Sequence, residues 1–287
     1  MRGCSIAICS RTVEQLDRAK ELLAADGYRV FAVPCDVSDP GQVKEMVEKV
    51  TGHFSGIDIL VNNAGEIIVG PLENMTVSDF ERAMDVMFWG VLNVTLAVLP
   101  QMKERRSGRV ATITSIGGKV SVPHMTPYCC AKFAAVAFSE GLREEMGPYG
   151  IQVTTIAPGL MRTGSDVNAR FKGNQTSEAA WFSVAASSPL LSMKAEAAAA
   201  KIVRAISSGS SEIVLSTQAN VMARLNGAFP GLIPDILSLV NRMLPDAASE
   251  LTGERMGLDL ARLQNQVVKF LTSNGRQAGE RLNQASV

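Results

Sequence analysis

The chain has 287 residues, 46% hydrophobic and 20% charged, which suffices for a sizeable core and argues against disorder. Lys and Arg number 28 and Asp and Glu 28, so the net charge is zero and nothing in it points to nucleic acid or an acidic partner. Only His53 and His124 are present, which argues against a histidine-based metal site, and no metal is expected. The five cysteines include no Cys-x-x-Cys pair and their number is odd, so a reduced, cytoplasmic protein is expected rather than a disulfide framework. The first residues, Met-Arg-Gly-Cys-Ser-Ile, contain no long apolar run, and no secretory signal is expected.

Residues 5–10 form a short apolar run that predicts a buried strand. Thr12 and Gln15 have the spacing of a capping box, and Leu16, Ala19, Leu22 and Leu23 then recur at helical spacing until Gly27. A second strand is predicted over 29–34. Asp36-Val-Ser-Asp-Pro40 reads as a turn and helix start, and Val43, Met46, Val47, Val50 and Phe54 mark one face of that helix. The strand at 58–62 ends in Asn62-Asn-Ala-Gly65. A long helix over about 79–104, a strand at 109–115, a helix at 126–148 and a strand at 151–157 follow. This alternation predicts an α/β fold, a parallel, doubly wound sheet with helices on both faces. In such sheets ligands lie at the carboxyl ends of the strands. Arg11, Asp36, Asn62 to Gly65, Ser115 and Pro158 to Thr163 all fall there. Each alone also fits ordinary turn or cap chemistry; their recurrence at successive strand ends is what suggests a site.

Tyr128 and Lys132 are four positions apart on the second long helix and so share a face. A phenol has a reference pKa of about 10, and a cation beside it favours the phenolate. Ser115, at the end of the strand before, can hold a carbonyl or hydroxyl oxygen next to that phenol. The three groups describe a proton-transfer site for carbonyl and alcohol chemistry.

Asn62-Asn-Ala-Gly65, Ser115, Tyr128-x-x-x-Lys132 and Pro158-Gly-x-x-x-Thr163, with thirteen positions from Ser115 to Tyr128, resemble the short-chain dehydrogenase/reductase family. The match covers about residues 5–165. The resemblance implies a Rossmann-like sheet and hydride transfer between a nicotinamide cofactor and a small carbonyl or alcohol. It implies that Tyr128 is the general acid/base, that Lys132 lowers its pKa and holds the nicotinamide ribose, and that Ser115 orients the substrate oxygen. Asp36 and Val37 would flank the adenine, and Asn63, Ala64 and Gly65 would line the cofactor. Pro158, Gly159, Met161 and Thr163 would lie along the nicotinamide and its phosphates. Ser10-Arg11 follows the first strand directly, where an arginine suits a 2′-phosphate, so NADP is the expected cofactor. The helices at 79–104 and 126–148 would form a homo-oligomer interface, to which Met84, Phe88, Val91, Leu92, Leu99, Ala135 and Phe138 offer apolar surface.

Two features depart from the family pattern. Met87 stands where many members carry an asparagine, and a thioether cannot hold a relay water as an amide can, so altered proton supply is expected. The opening strand, glycine-rich phosphate-binding turn and first helix of the family are also missing, which reads as an N-terminal truncation. An unpaired slot between the strands at 5–10 and 58–62 and weak cofactor binding are then expected. The alternative is a non-catalytic remnant acting as an interaction module.

Residues 1–216 are read as the oxidoreductase domain, with a substrate lid at 165–195 that carries Trp181 and Phe182. Residues 217–287 are read as a helical C-terminal extension. The apolar stretch 225–245 is broken by Pro230, Pro234 and Pro245 and is a poor bilayer span. It reads as a helix packed on the domain or on another subunit, or as a peripheral membrane contact. After Ala247, a loosely attached helix at about 258–272 and a disordered polar tail are expected.

Overall fold

The computed structural model describes residues 3–249, 253–264 and 266–284. The chain opens with β1 (Ile6–Ser10), α1 (Val13–Ala25), β2 (Val30–Pro34) and α2 (Pro40–Phe54). Then come β3 (Ile59–Asn62), the short β4 (Ile68–Val69), α3 (Val77–Met84) and α4 (Gly90–Arg105). β5 (Gly108–Ile113), α5 (Thr126–Met146) and β6 (Ile151–Pro158) follow. The lid region holds β7 (Met161–Arg162), β8 (Arg170–Phe171), α6 (Gln175–Ser187) and β9 (Met193–Lys194). α7 (Ala195–Ser208) and β10 (Glu212–Leu215) lead to α8 (Thr217–Ala228) and α9 (Leu232–Asn241). Last are β11 (Arg255–Met256), α10 (Gly257–Leu263), α11 (Gln266–Leu271) and α12 (Ser273–Arg281).

β10, β6, β5 and β3 form one all-parallel sheet in that order. Neighbouring residues of its strands feed opposite faces, as the two-residue period of a strand requires. Val110 and Val153 enter a core with Val43, Val47, Val98 and Met102, beneath α2 and α4. Ala111 and Ile156 enter a second core with Ala198, Ile206 and Leu215, beneath α7. Full burial of such a side chain contributes about 1.5–3 kcal/mol, so the two faces together hold the doubly wound sheet. β1 pairs in parallel with β2. Among the described residues no strand bonds β1 to β3, so the parallel array is in two parts with an edge on each, where the sequence reading places a gap.

Several sequence expectations are corrected. Thr12 sits at the start of α1, but its side chain caps nothing; its own N–H donates to Ser10 Oγ. Of the expected apolar face of α1 only Leu16 is buried, because the two-stranded β1–β2 ribbon offers little to cover. The long helix is not continuous. It begins at Val77 and carries a π-turn over Asp85–Trp89 before α4, an extra-residue bulge of a kind frequent near functional sites. Together, Val77–Arg105 is apolar and long enough to cross a membrane, yet half of its most apolar window is buried in the protein interior, as a core helix would be.

The expected interface residues divide. Val91, Leu99 and Ala135 are consumed by the chain's own core and Met84 and Phe138 pack against it, while three residues outside the expected set, Trp89, Leu96 and Phe133, are the large apolar side chains exposed on these helices. The described residues of the C-terminal segment, 253–264 and 266–284, form helices that dock on the domain rather than a loose tail. Leu260 is fully buried with Phe171 and Phe182, and glycines set the close approach. A Cβ on Gly257 would stand 1.9 Å from the Asp166 carbonyl oxygen, and one on Gly164 2.2 Å from Gly279 Cα. These contacts dock α10 and α12 on the lid. Residues 285–287 of the expected tail lie outside the described residues.

Candidate active site

β5 ends at Ile113, and the chain then turns into one 3₁₀ turn, Ile116–Gly118, whose first N–H groups need acceptors. Ser115 supplies one: its Oγ accepts from Gly117 N–H at 3.1 Å. The turn is pressed onto α5, since a Cβ on Gly118 would lie 2.7 Å from the Lys132 carbonyl oxygen. Glycine here is what lets the serine loop touch the helix that carries Tyr128 and Lys132.

Helical spacing then brings the three expected groups together. Tyr128 lies against the Ser115 turn, where a Cβ on Gly117 would stand 3.1 Å from the ring edge, and Lys132 Nζ lies 5.8 Å from the centre of the Tyr128 ring. The Tyr128 ring bridges two apolar clusters, one with Met87 and Ala131, the other with Val69, Met125 and Phe182. The buried Lys132 donates to the Ile113 carbonyl at 3.0 Å, which aims the ammonium back at the end of β5. Burial pushes the Tyr128 phenol up to about 12, against a weaker downward pull from Ser115. Burial pushes the Lys132 ammonium down to about 8. Desolvation is thus the largest influence on both groups, and for the phenol Ser115 is the one that opposes it.

That shift has a sign in stability. The folded chain binds fewer protons at Lys132 than the unfolded one between about pH 8 and 10.5, the ordinary value for a lysine. Burying Lys132 therefore costs stability at lower pH, and that cost shrinks as pH rises through this window, by about 2 kcal/mol from pH 8 to pH 10. Tyr128 works in the opposite sense above about pH 10, where its folded form keeps a proton that the unfolded form loses. Denaturant unfolding of the wild type and Lys132→Met from pH 8 to 10 is the check. The stability difference between them should shift by about 2 kcal/mol in favour of the wild type; parallel curves would show the ammonium to be solvated.

The other expected residues are placed as follows. Arg11, at the end of β1, is half-exposed and stands 3.8 Å from the Asp36 carboxylate. Asp36 accepts from Ser38 N–H and Ser38 Oγ, while the helix cap of α2 is Asp39. Asn62 is tied to Thr95 at 2.9 Å and supports the loop from beneath. A Cβ on Gly65 would lie 3.6 Å from both Lys132 Nζ and Met87 Sδ, so the Asn63-Ala64-Gly65 turn passes directly over the lysine. Met87, wholly buried in the π-turn, completes that contact. Gly159 is needed for packing: a Cβ there would meet Ser216 Oγ at 2.8 Å. Met161 is in β7 beside β9, and Thr163 accepts from Ser165 N–H.

Sequence reasoning missed two groups. His124 has a left-handed backbone (φ 62°) and places Nδ1 2.8 Å from Glu178, which also accepts from Trp181 Nε1 at 2.7 Å. Glu178 is fully buried, so this hub pins α6 to the start of α5, four residues from Tyr128. The only signal was a scarce histidine just ahead of the tyrosine. The second is a charge cluster in which Arg82 reaches Glu66, Asp79 and Glu254 while Arg170 reaches Glu66 and Glu254. Its members are far apart in sequence, with no motif to join them.

A nicotinamide dinucleotide fits these residues at its two ends. Arg11 and Asp36 would meet one end, and the Gly65 cradle, Lys132 and Tyr128 the other. The strand-to-helix turns at 10–12 and 35–39 contain no glycine to admit a pyrophosphate closely.

The short chain dehydrogenase family model matches residues 1–173. Dehydrogenase/reductase SDR family member 7B of Mus musculus is 34% identical over 171 residues, covering 58% of this chain and 53% of that protein. The chain thus spans about half the length of the curated relatives it matches. A short-chain dehydrogenase from Streptomyces avermitilis has a similar structure, with TM-score 0.65, 28% identity, and coverage of 84% of this chain and 90% of that one. A structure of ElxO with NADP bound has TM-score 0.52 and 28% identity, covering 54% of this chain and 63% of that one. With the family model spanning more than half of its length and Ser115, Tyr128 and Lys132 gathered at the end of β5, the chain belongs to the short-chain dehydrogenase family.

Proposed function

We propose that the protein is an NADP-dependent oxidoreductase that interconverts a carbonyl and an alcohol. The observation that carries the reading is the grouping at the end of β5: Ser115 oriented by Gly117 N–H, with Lys132 Nζ held on the Ile113 carbonyl at 3.0 Å and 5.8 Å from the centre of the Tyr128 ring. A bound nicotinamide supplies or takes the hydride in this family's chemistry. The chain's own residues handle the oxygen. Ser115 Oγ, oriented by Gly117 N–H, donates to the substrate oxygen. Tyr128, neutral throughout the physiological range, gives that oxygen a proton in the reductive direction and takes it back in the oxidative one. Lys132 stands by to stabilise the phenolate as it forms. Val69, Met125 and Phe182 pack against the partly buried Tyr128 ring and lower the local dielectric, which makes each of these contacts stronger. The reading is tested by NADPH oxidation against a panel of small aldehydes and ketones; no turnover with any of them, under conditions where NADPH binds, overturns it.

NADP over NAD rests on Arg11. Its guanidinium is half-exposed and only loosely paired with Asp36, free to meet a 2′-phosphate. A charge-assisted hydrogen bond contributes about 1.5–3 kcal/mol, so Arg11→Asp should lower the NADPH/NADH ratio of kcat/KM by about tenfold to a hundredfold. An unchanged ratio would assign Arg11 to the surface alone.

We further propose a homo-oligomer built on α4 and α5, supported by the outward Trp89, Leu96 and Phe133. Sedimentation of the wild type and Leu96→Asp checks it: the variant should dissociate, and a wild-type monomer at micromolar concentration would contradict it.

A further inference from the structure

The stretch 217–243, which forms α8, α9 and their connections, carries three charged residues, Arg224, Asp235 and Arg242, in a chain that is 20% charged. Apart from Ile233, which is buried, its large apolar side chains are partly or wholly uncovered. Phe229, Leu232, Ile236, Leu239 and Met243 are exposed, Leu239 to 64% and Met243 to 85%. Between the two helices runs an apolar groove of about 420 Å³ lined by Val221, Leu225 and Ile233. Beside α8, Gln218 Nε2 donates to the Leu190 carbonyl at 2.7 Å, and Leu190, at the tip of the lid, is itself 77% exposed. The apolar surface thus runs from the α9 hairpin to the lid without leaving this side of the molecule.

It also borders the candidate site. The start of α8 packs on the Pro158-Gly159 turn through Ser216 and Ala219. Near its other end, Asn226 Nδ2 donates to the Lys119 carbonyl at 3.0 Å, just past the Ser115 turn.

We propose that the α8–α9 hairpin, with Leu190 and Leu191, docks on the surface of an anionic phospholipid bilayer. Amphipathic helices lie in the interface plane with their apolar faces sunk about 5–10 Å into the headgroup boundary, held by buried apolar area and by attraction of basic side chains to anionic lipid. Here Arg242 adjoins Met243, the more exposed of the two leading side chains, and two arginines against one aspartate give the stretch a net charge of +1. That sign complements anionic headgroups. A second copy of the chain is a poorer occupant. Helices of twelve and ten residues are about 18 and 15 Å long and together present a footprint of about 300 Å². A stable dimer needs about 800 Å² per partner, whereas a bilayer sets no such minimum. The proposal does not depend on the chemistry proposed above.

Flotation of the full chain with vesicles of mixed phosphatidylcholine and phosphatidylserine is the test, alongside phosphatidylcholine vesicles alone. The wild type is expected to float with the mixed vesicles. Leu239→Glu/Met243→Glu should lower the partition coefficient about tenfold or more, since two apolar side chains are replaced by anions. Arg224→Gln/Arg242→Gln should weaken binding to the mixed vesicles while leaving binding to neutral ones unchanged. Near-ultraviolet circular dichroism shows whether each variant is folded; should the glutamate pair fail to fold, Leu239→Ser/Met243→Ser replaces it. A wild type that stays with the lipid-free fraction, or variants that float equally well, would overturn the proposal. So would a wild-type dimer that ignores vesicles and is split by the glutamate pair, which would assign the face to a second copy.

Discussion

Tyr128→Phe should lower kcat by about 10²–10⁴-fold, the range for loss of a positioned general acid, while NADPH affinity stays nearly unchanged. The substitution removes one oxygen from a ring that packs between the Met87–Ala131 cluster and the Val69–Phe182 cluster, and Phe fills the same space. Ser115 keeps its bond from Gly117 N–H, so no buried polar group is left stranded. Because burial already makes the phenol costly to ionise, the variant should be as stable as the wild type or slightly more so above about pH 10. Stopped-flow measurement of the hydride step with a reactive aldehyde, together with a fluorescence titration of NADPH, separates the two quantities. A variant that turns over as fast as its parent would remove Tyr128 from the chemistry. One that loses both turnover and cofactor binding would make it a structural residue.

Arg82→Ala should be the most destabilising single change at the charge cluster. Arg82 reaches Glu66 at 3.1 Å, Asp79 at 3.1 Å and Glu254 at 2.7 Å, while Lys172 holds the other oxygen of Asp79 at 2.5 Å. With Arg170 the cluster has three cations and three carboxylates, so it is neutral as a whole. The Glu66 side chain is only 9% exposed, and burial raises its pKa against the pull of Arg82 and Arg170. Breaking a buried pair by removing one partner costs about 3–5 kcal/mol. Arg82 is 31% exposed, so the lower end, about 3 kcal/mol, is expected. The cost should shrink as pH falls toward the carboxylate range. Protonated Glu66 no longer needs the guanidinium, and the folded state, in which its pKa is raised, takes up that proton first. Urea unfolding at pH 7 and pH 5 measures both effects, and Arg82→Lys should recover part of the loss by restoring the charge without the fork. Glu254 belongs to the segment that leads into β11 and α10, so the variant should also loosen the C-terminal helices from the lid, seen as faster amide exchange in α10. A loss below about 1 kcal/mol would place the cluster among surface pairs.

The order of the main sheet strands and their flanking helices through Pro158, and with it the parallel fold class, was determined by the sequence alone, while β4 and the π-turn that splits the long helix were not. Periodicity reports burial locally: alternate residues of β5 and β6 must face opposite cores, and Val43 to Val50 can share only one face of α2. The catalytic set was legible for the same reason, because Tyr128 and Lys132 lie one helical turn apart and Ser115 ends the strand that feeds their helix. What the tertiary structure decided are the quantities that depend on distant neighbours. The direction of the Tyr128 shift is one, since it is set by the desolvating Val69, Phe171 and Phe182 clusters rather than by the lysine four residues away. The His124–Glu178–Trp181 hub and the Arg82 cluster are others, joining residues 54 and 172 positions apart. The docking of the C-terminal helices is the last. Polar, glycine-containing sequence reads as a loose tail, yet Gly257, Gly275 and Gly279 are small because the lid backbone and Ser187 press against them, and that partner surface exists only once the chain has folded.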